Sequence, residues 1–355
     1  MSDSTCDRLP QAGDFVAEEY TETLYLSPKP LPTGSAAFNG RKMHREVNDV
    51  FLDFDHDNGG LEYFIRLTFG AAALMPLVFL VLGVAMGVND YIVYGSSVFK
   101  HLIALFWQNY PLLGLVVFYI LFLGVPLCKG IYKTSSRSPI RFNRQRREVA
   151  YVPKKGKPPI IVSWEEVIAC VKASIVSNQQ TFTLEFSLMI GMRDARSEEV
   201  VWVPLSIDNP SLAIGEWETL RVYMEIGPEA VPTAFLSDEE FQEGTVAYFH
   251  MCRGVYRDMH SWPVYAFGFL IVQFCSGWTL PCRITQWVNT RPKAAFPESI
   301  REWSKPLPIE QHTQPSAELG HESAKINEAF SQGQSWKEYY NIKFSEPEPT
   351  GENNG

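Results

Sequence analysis

The chain has 355 residues, 46% of them hydrophobic and 20% charged, with 31 basic and 40 acidic side chains and a net charge of −9. That composition supports one large or two ordinary folded domains and excludes a wholly disordered, coiled-coil or collagen-like chain. The acidic balance argues against a general nucleic-acid binder, so no nucleic acid is expected among the partners.

Residues 1–62 read as an N-terminal cytosolic segment, of which residues 1–22 are polar and acidic, without the apolar core of a signal peptide. A short strand is expected at 22–27, followed by PKPLPTG, a stretch with turn chemistry. From Leu67 to Val88 there are 22 residues without a charge. A helix of that length covers roughly 33 Å, about one bilayer core. A second uncharged stretch runs from Leu102 to Leu127. Tyr63, Phe64, Tyr91, Tyr94, Trp107, Tyr110 and Tyr132 lie near the ends of these stretches, as aromatics that seek the membrane interface do. Pro76 and Pro111 are expected near helix starts, where proline does least harm. Gly83 and Gly87 form a G-x-x-x-G pair, which allows close helix packing within a hairpin or across a homodimer. Residues 63–128 are therefore read as a transmembrane helical hairpin, with membrane lipids as its first partner.

Between Lys129 and Lys157 lie ten basic residues opposed by Glu148 alone, whereas the link between the apolar stretches carries one lysine, Lys100. The positive-inside bias puts the basic segment in the cytoplasm, and two spans place the N-terminus there too. The expectation is a multi-pass inner-membrane protein with both termini cytoplasmic. Lys129, Lys133, Arg137, Arg141, Arg144, Arg146 and Arg147 form the strongest candidate site. Cations just inside a membrane attract anionic headgroups at about 1 kcal/mol each, and the same face suits a protein partner. The plainer reading is a topology determinant without a specific ligand.

Residues 129–230 read as a cytosolic module. Short strands are expected at 140–143, 148–152 and 160–163, the first two joined by the polar turn NRQRR. Thr181–Ile190 alternates, with Phe182, Leu184, Phe186, Leu188 and Ile190 on one face, and 200–205 is a further strand. A helix follows, with Ala213, Trp217, Leu220 and Met224 on one apolar face. Antiparallel strands closed by a C-terminal amphipathic helix is the order of a pleckstrin-homology-like (PH-like) fold. The fold class expected is thus an α+β membrane protein: a two-helix hairpin, a PH-like antiparallel β domain, and further helices.

The hairpin, the basic juncture, RFNRQRREVAYV and then IIVSWEEV together resemble bacterial inner-membrane proteins that carry a PH-like domain after their spans. The matching positions are Arg141, Phe142, Asn143, Arg144, Arg147, Val149, Trp164 and Glu165. The stretch is also similar to an uncharacterised bacterial family often encoded near type VI secretion effectors. That resemblance covers roughly residues 60–230. It implies a binding or immunity role toward a toxin or secretion component, with no cofactor.

Residues 231–330 are read as a helical extension and 331–355 as a disordered tail. Within the extension, Trp262 to Cys282 is a third apolar stretch, broken by Gly268, Gly277 and two prolines and flanked by basic residues on both sides. An element buried in the soluble part or lying at the membrane surface is favoured over a third span. DFDHDNGG at 53–60 has the first three acidic positions of a calcium loop, but Asn58 and Phe64 stand where Gly and Glu are needed. His250, Cys252 and His260 match no common zinc spacing, and Glu165 and Glu166 read as solvated or helix-start acids. No phosphate-binding, nucleophile-elbow or metalloprotease signature occurs. The functional expectation is an integral inner-membrane binding or accessory protein, not an enzyme, with no catalytic, cofactor or metal residues. Its alternative is a lipid-sensing or scaffolding protein that uses the basic face.

Overall fold

The computed structural model describes residues 10–40, 43–55, 60–95, 97–99, 103, 110–135, 138–153, 156–178, 181–207, 209–234, 242, 244–290 and 296–340. The chain divides into two compact units. Unit 1 takes residues 1–57, 137–236 and 294–355, and unit 2 takes 58–136 and 237–293. The five consecutive regions expected from the sequence are thus regrouped, with the two stretches of unit 2 lying between stretches of unit 1 along the chain.

Unit 1 is built on two five-stranded antiparallel sheets. The first has the order β1 (Phe15–Glu18), β2 (Thr21–Tyr25), β8 (Ile168–Asn178), β9 (Thr181–Arg193), β10 (Val200–Ile207). The second has the order β3 (His44–Val47), β4 (Phe51–Phe54), β5 (Ile140–Asn143), β6 (Glu148–Tyr151), β7 (Ile160–Ser163). The N-terminal segment therefore lends two strands to each sheet. The pairing of β4 with β5 is the informative one. Phe54 and Ile140 are Cα partners, so the two strand ends that bracket the long apolar hairpin lie side by side.

Alternation explains which face of each strand is inside. In β9, Phe186, Leu188, Ile190 and Met192 are buried, and in β8, Ala169, Val171 and Ala173 are. Helix α3 (Pro210–Glu225) starts with Asn209, whose side chain accepts from the Ser211 N–H at 2.7 Å, and with a proline at its first turn. Its buried stripe includes Ala213, Trp217, Leu220 and Met224, the face expected from their spacing. Trp164 and Trp217 pack in a tilted arrangement with ring centroids 5.1 Å apart, and Trp164 meets Phe142 edge-on at 5.8 Å. This aromatic chain joins β5, the turn after β7 and α3 in a single core.

Two acids beside Trp217 fix the chain between β2 and β3 onto α3. Glu216 accepts the Gly40 N–H at 2.6 Å, and Glu218 accepts the Thr33 hydroxyl at 2.9 Å while pairing with Arg221. Further on, α7 (Glu298–Trp303), α8 (Ala317–Ser331) and α9 (Trp336–Tyr339) complete unit 1. Of the tail expected to be disordered, 331–340 includes α9, and 341–355 lies outside the described residues.

Unit 2 holds α1 (Leu61–Tyr94) and α2 (Tyr110–Ser135). Both are long and apolar enough to cross a membrane, and neither is much covered by protein. The Tyr119 hydroxyl on α2 donates to the Ala71 carbonyl on α1 at 2.9 Å. Pro76 is not near a helix start: α1 begins at Leu61, so Pro76 and, in α2, Pro126 are interior. Such prolines are tolerated in membrane helices, where neighbouring groups satisfy the freed carbonyls. Gly83 and Gly87 are both buried, and a Cβ on Gly87 would lie 3.0 Å from Val98, so Gly87 serves a close approach inside the hairpin. After α4 (Val246–Met259) come α5 (Trp262–Cys275), which contains a π-helical run at Tyr265–Ile271, and α6 (Leu280–Thr290). α5 and α6 are bent by 46° at the break between them.

Candidate functional site

The basic juncture is split by the fold. Lys129 and Lys133 are on the last turns of α2 in unit 2, both exposed, while Arg141, Arg144, Arg146 and Arg147 belong to β5 and its turn into β6 in unit 1. Arg137 lies outside the described residues.

Arg141 is held on every side. Its Nε and Nη2 donate to the two carboxylate oxygens of Asp53 at 2.6 and 2.7 Å, and Nη1 donates to Ser304 Oγ at 2.9 Å. The guanidinium plane lies 3.6 Å from the Phe51 ring centre and 4.4 Å from that of Phe296. Burial lifts the Asp53 carboxyl above the ordinary carboxylate range, with Arg141 pulling the other way. Asp53, the first acid of the calcium-like DFDHDNGG run, is therefore a partner for arginine. Asp55, the next one described, stands 3.7 Å from Arg45.

Arg147 sits at the end of the NRQRR turn with φ 51, a conformation unusual for a side chain with a Cβ. Nη1 and Nη2 donate to the two oxygens of Glu225 at 2.9 and 2.8 Å. Glu225 also accepts from Trp164 Nε1 at 2.9 Å, and the Trp164 N–H donates to the Arg147 carbonyl at 2.8 Å. Bidentate pairing of this kind fixes orientation as well as charge. It ties the turn to the end of α3.

The rest of the turn receives the C-terminal chain. Asn143 and Arg146 both donate to the Trp303 carbonyl, Trp303 Nε1 donates to Glu148 at 2.7 Å, and Gln145 accepts the Leu307 and Thr313 N–H groups through its side chain and its carbonyl. Arg144 donates to the Ile226 carbonyl at 2.7 Å. Glu165, expected to be solvated or a helix-start acid, lies in a single 3-10 turn opened by Trp164 and accepts the Ser316 N–H at 2.9 Å. The residues RFNRQRREV and WEE thus form a junction among β5, α3 and the segment 296–316. Composition signalled the cations but not their carboxylates, because Asp53 and Glu225 are 88 and 78 residues away in sequence.

Sequence reasoning missed a second feature. The β8–β9 hairpin extends past the core, and Ile175 and Leu184, which are Cα partners, continue its core-facing series with 43% and 40% exposure. Tyr20, whose carbonyl accepts the Ile175 N–H at 2.9 Å, is exposed beside them. The residues considered as metal ligands do other things. His260 stacks on Tyr256 at 4.0 Å, and His250 meets Phe249 edge-on. Among the described residues no group of three or more His, Cys, Asp or Glu is arranged to hold a metal.

The sequence profile of a family described as a family of unknown function, DUF6708, matches residues 117–315, from within the second apolar helix through β5–β10 to the segment docked on the arginine turn. No curated protein and no solved structure matches the chain.

Proposed function

We propose, for a chain that belongs to the DUF6708 family of unknown function, that it is an integral inner-membrane binding protein whose soluble unit engages a protein partner. The observation that carries this reading is the Ile175–Leu184 patch. A strand pair that keeps its core-facing side chains apolar beyond the end of its own core presents a surface for another chain. The hairpin α1–α2 is the anchor, and the basic flank after α2 favours a cytoplasmic unit 1 with both termini on that side. The order β5 to β10 followed by α3 supports a PH-like core widened by β1–β4.

The arginine turn supports the lipid-sensing alternative less well. A headgroup would have to displace Asp53 from Arg141 and Glu225 from Arg147, and both pairs are largely removed from water. A narrower form of the proposal is an immunity or accessory role beside type VI secretion effectors.

The test is a photo-crosslinking residue at Leu184 in intact cells, with Arg196 as the control position. A discrete protein adduct at 184, weakened by Ile175→Lys, is the expected result. No adduct above the control would remove the binding reading. Unaltered killing of cells that make both this chain and the effector encoded beside it would remove the immunity form alone.

A further inference from the structure

Unit 2 leaves one large apolar surface unexplained. On α5, Trp262, Phe267 and Phe274 are exposed at 74%, 69% and 76%, with Val264, Ile271 and Val272 exposed among them. The inner side of α5 is packed: Phe269 lies against Phe249 and Tyr256 of α4, with ring centroids 5.8 and 5.4 Å away. We infer that the α5–α6 arm does not cross the bilayer but lies in the leaflet on the side of unit 1, with these aromatics against the acyl chains. This rests on the reading of α1 and α2 as membrane spans.

Three observations lead there. The first is connectivity. The chain enters 237–293 from unit 1 and returns to unit 1 afterwards. The returning chain is woven into strands and turns that come earlier in the sequence. Phe296 and Ile300 pack with Ala150 and Val152, and the Thr313 N–H donates to the Gln145 carbonyl at 2.9 Å. One compact body cannot be on both sides of a membrane, so the segment crosses an even number of times. The second is length. At about 1.5 Å per residue, α5 reaches roughly 21 Å and α6 roughly 17 Å, so they could cross a core of about 30 Å only together, as one bent span. A second crossing would fall to α4, which is also roughly 21 Å long and carries Arg253, Arg257 and Asp258, so two crossings are excluded and none remain.

The third is where the bend sits. Arg66, one residue before the uncharged run of α1, donates to Gln273 Oε1 at 2.7 Å and to the Trp278 carbonyl at 2.8 Å. It also pairs with Glu62 and faces the Phe249 ring at 4.8 Å. Gly277, at φ 87, passes so near Phe69 that a Cβ would stand 2.4 Å from the ring. The bend is thus fixed to the charged end of α1, where the lipid boundary falls, and not to its middle. Arg253, 5.9 Å from the Trp278 ring centre, and exposed Arg257 lie on α4 just before α5, and cations beside a membrane surface attract anionic headgroups.

The test uses the full chain with its native cysteines replaced and single cysteines returned at Ser261, Thr290 and Arg196. In oriented vesicles an impermeant maleimide should label all three from one side. Environment-sensitive probes at Phe267→Cys and Phe274→Cys should read an apolar medium, quenched more by nitroxides near the headgroups than by nitroxides at the bilayer centre. Labelling of Ser261 and Thr290 from opposite sides would overturn the inference, as would strongest quenching at the centre. Probes at 267 and 274 as open to aqueous iodide as one at 196 would also overturn it, pointing to a protein occupant. Failure of the hairpin reading looks different: the whole chain would leave the membrane in an alkaline carbonate wash.

Discussion

At the scale of single residues, the cations after α2 are specified by their partners. Glu225 receives Arg147 through two oxygens and Trp164 through one. Removing it by Glu225→Ala leaves a largely buried guanidinium with only Glu165, 3.5 Å away, as a carboxylate neighbour, which costs about 3 kcal/mol. The melting temperature of the detergent-solubilised chain should fall by several degrees, and the apolar double replacement Arg147→Met, Glu225→Leu should recover only part of the loss, because the buried Trp164 indole N–H still lacks its acceptor. Trp217→Ala should cost more still, about 3–5 kcal/mol, since nothing nearby fills an indole-sized void. Cys170 reports through pH. Burial pushes its thiol up to about 12. An unfolded thiol ionises near about 8.5, so above that pH the unfolded chain gives up a proton that the folded chain keeps. Stability contributed at this site is then full below the unfolded value and is lost as pH climbs toward the folded one, by about 2 kcal/mol at pH ~10. Cys170→Ala should flatten the fall in stability between neutral pH and that point. Equal slopes in both proteins would remove the account.

At the scale of elements, packing decided what the pattern left open. The G-x-x-x-G pair was compatible with a hairpin or a homodimer, and Gly87 approaches Val98 of the same chain. Gly87→Leu forces side-chain bulk against that segment and should cost roughly 1–3 kcal/mol. The readout is a lower melting temperature in detergent with no change in the mass of the solubilised species. A shift in that mass would put the pair in an interface between copies instead. The strand at 181–190 was legible because one face alternates without interruption. Its partner β8 was not, because Ile168–Asn178 mixes small, polar and β-branched residues with no clean period. Strands β3 and β4 are short, and the pairing of β4 with β5 across the long apolar hairpin has no local signature.

At the scale of the whole molecule, unit 1 is interrupted twice by unit 2, yet Phe54 and Ile140 are neighbours. If the soluble unit owes its fold to its own core, it should survive without the insertions. Replacing 58–136 and 237–293 by short Gly/Ser linkers should give a β-rich protein that stays in solution without detergent and melts cooperatively. Aggregation of that variant under all conditions would mean that unit 1 needs the membrane segments in order to fold.

The order of residues was enough to mark two stretches as long and apolar enough to cross a membrane. Twenty-two residues without a charge, and ten basic residues against one acid beside the second apolar run, are facts of composition along the chain, and transfer free energy depends on composition. The strands of the module and the helical face of Ala213, Trp217, Leu220 and Met224 were legible for the same reason, since period records which side is buried. Three-dimensional packing was needed to show what the charges do and how the third apolar stretch is used. An ion pair such as Arg141–Asp53 depends on a distance of a few ångströms between residues far apart in the chain, and no local pattern encodes that. Whether a short apolar helix crosses or lies flat depends on where its ends must return, which the interleaving of unit 1 fixes.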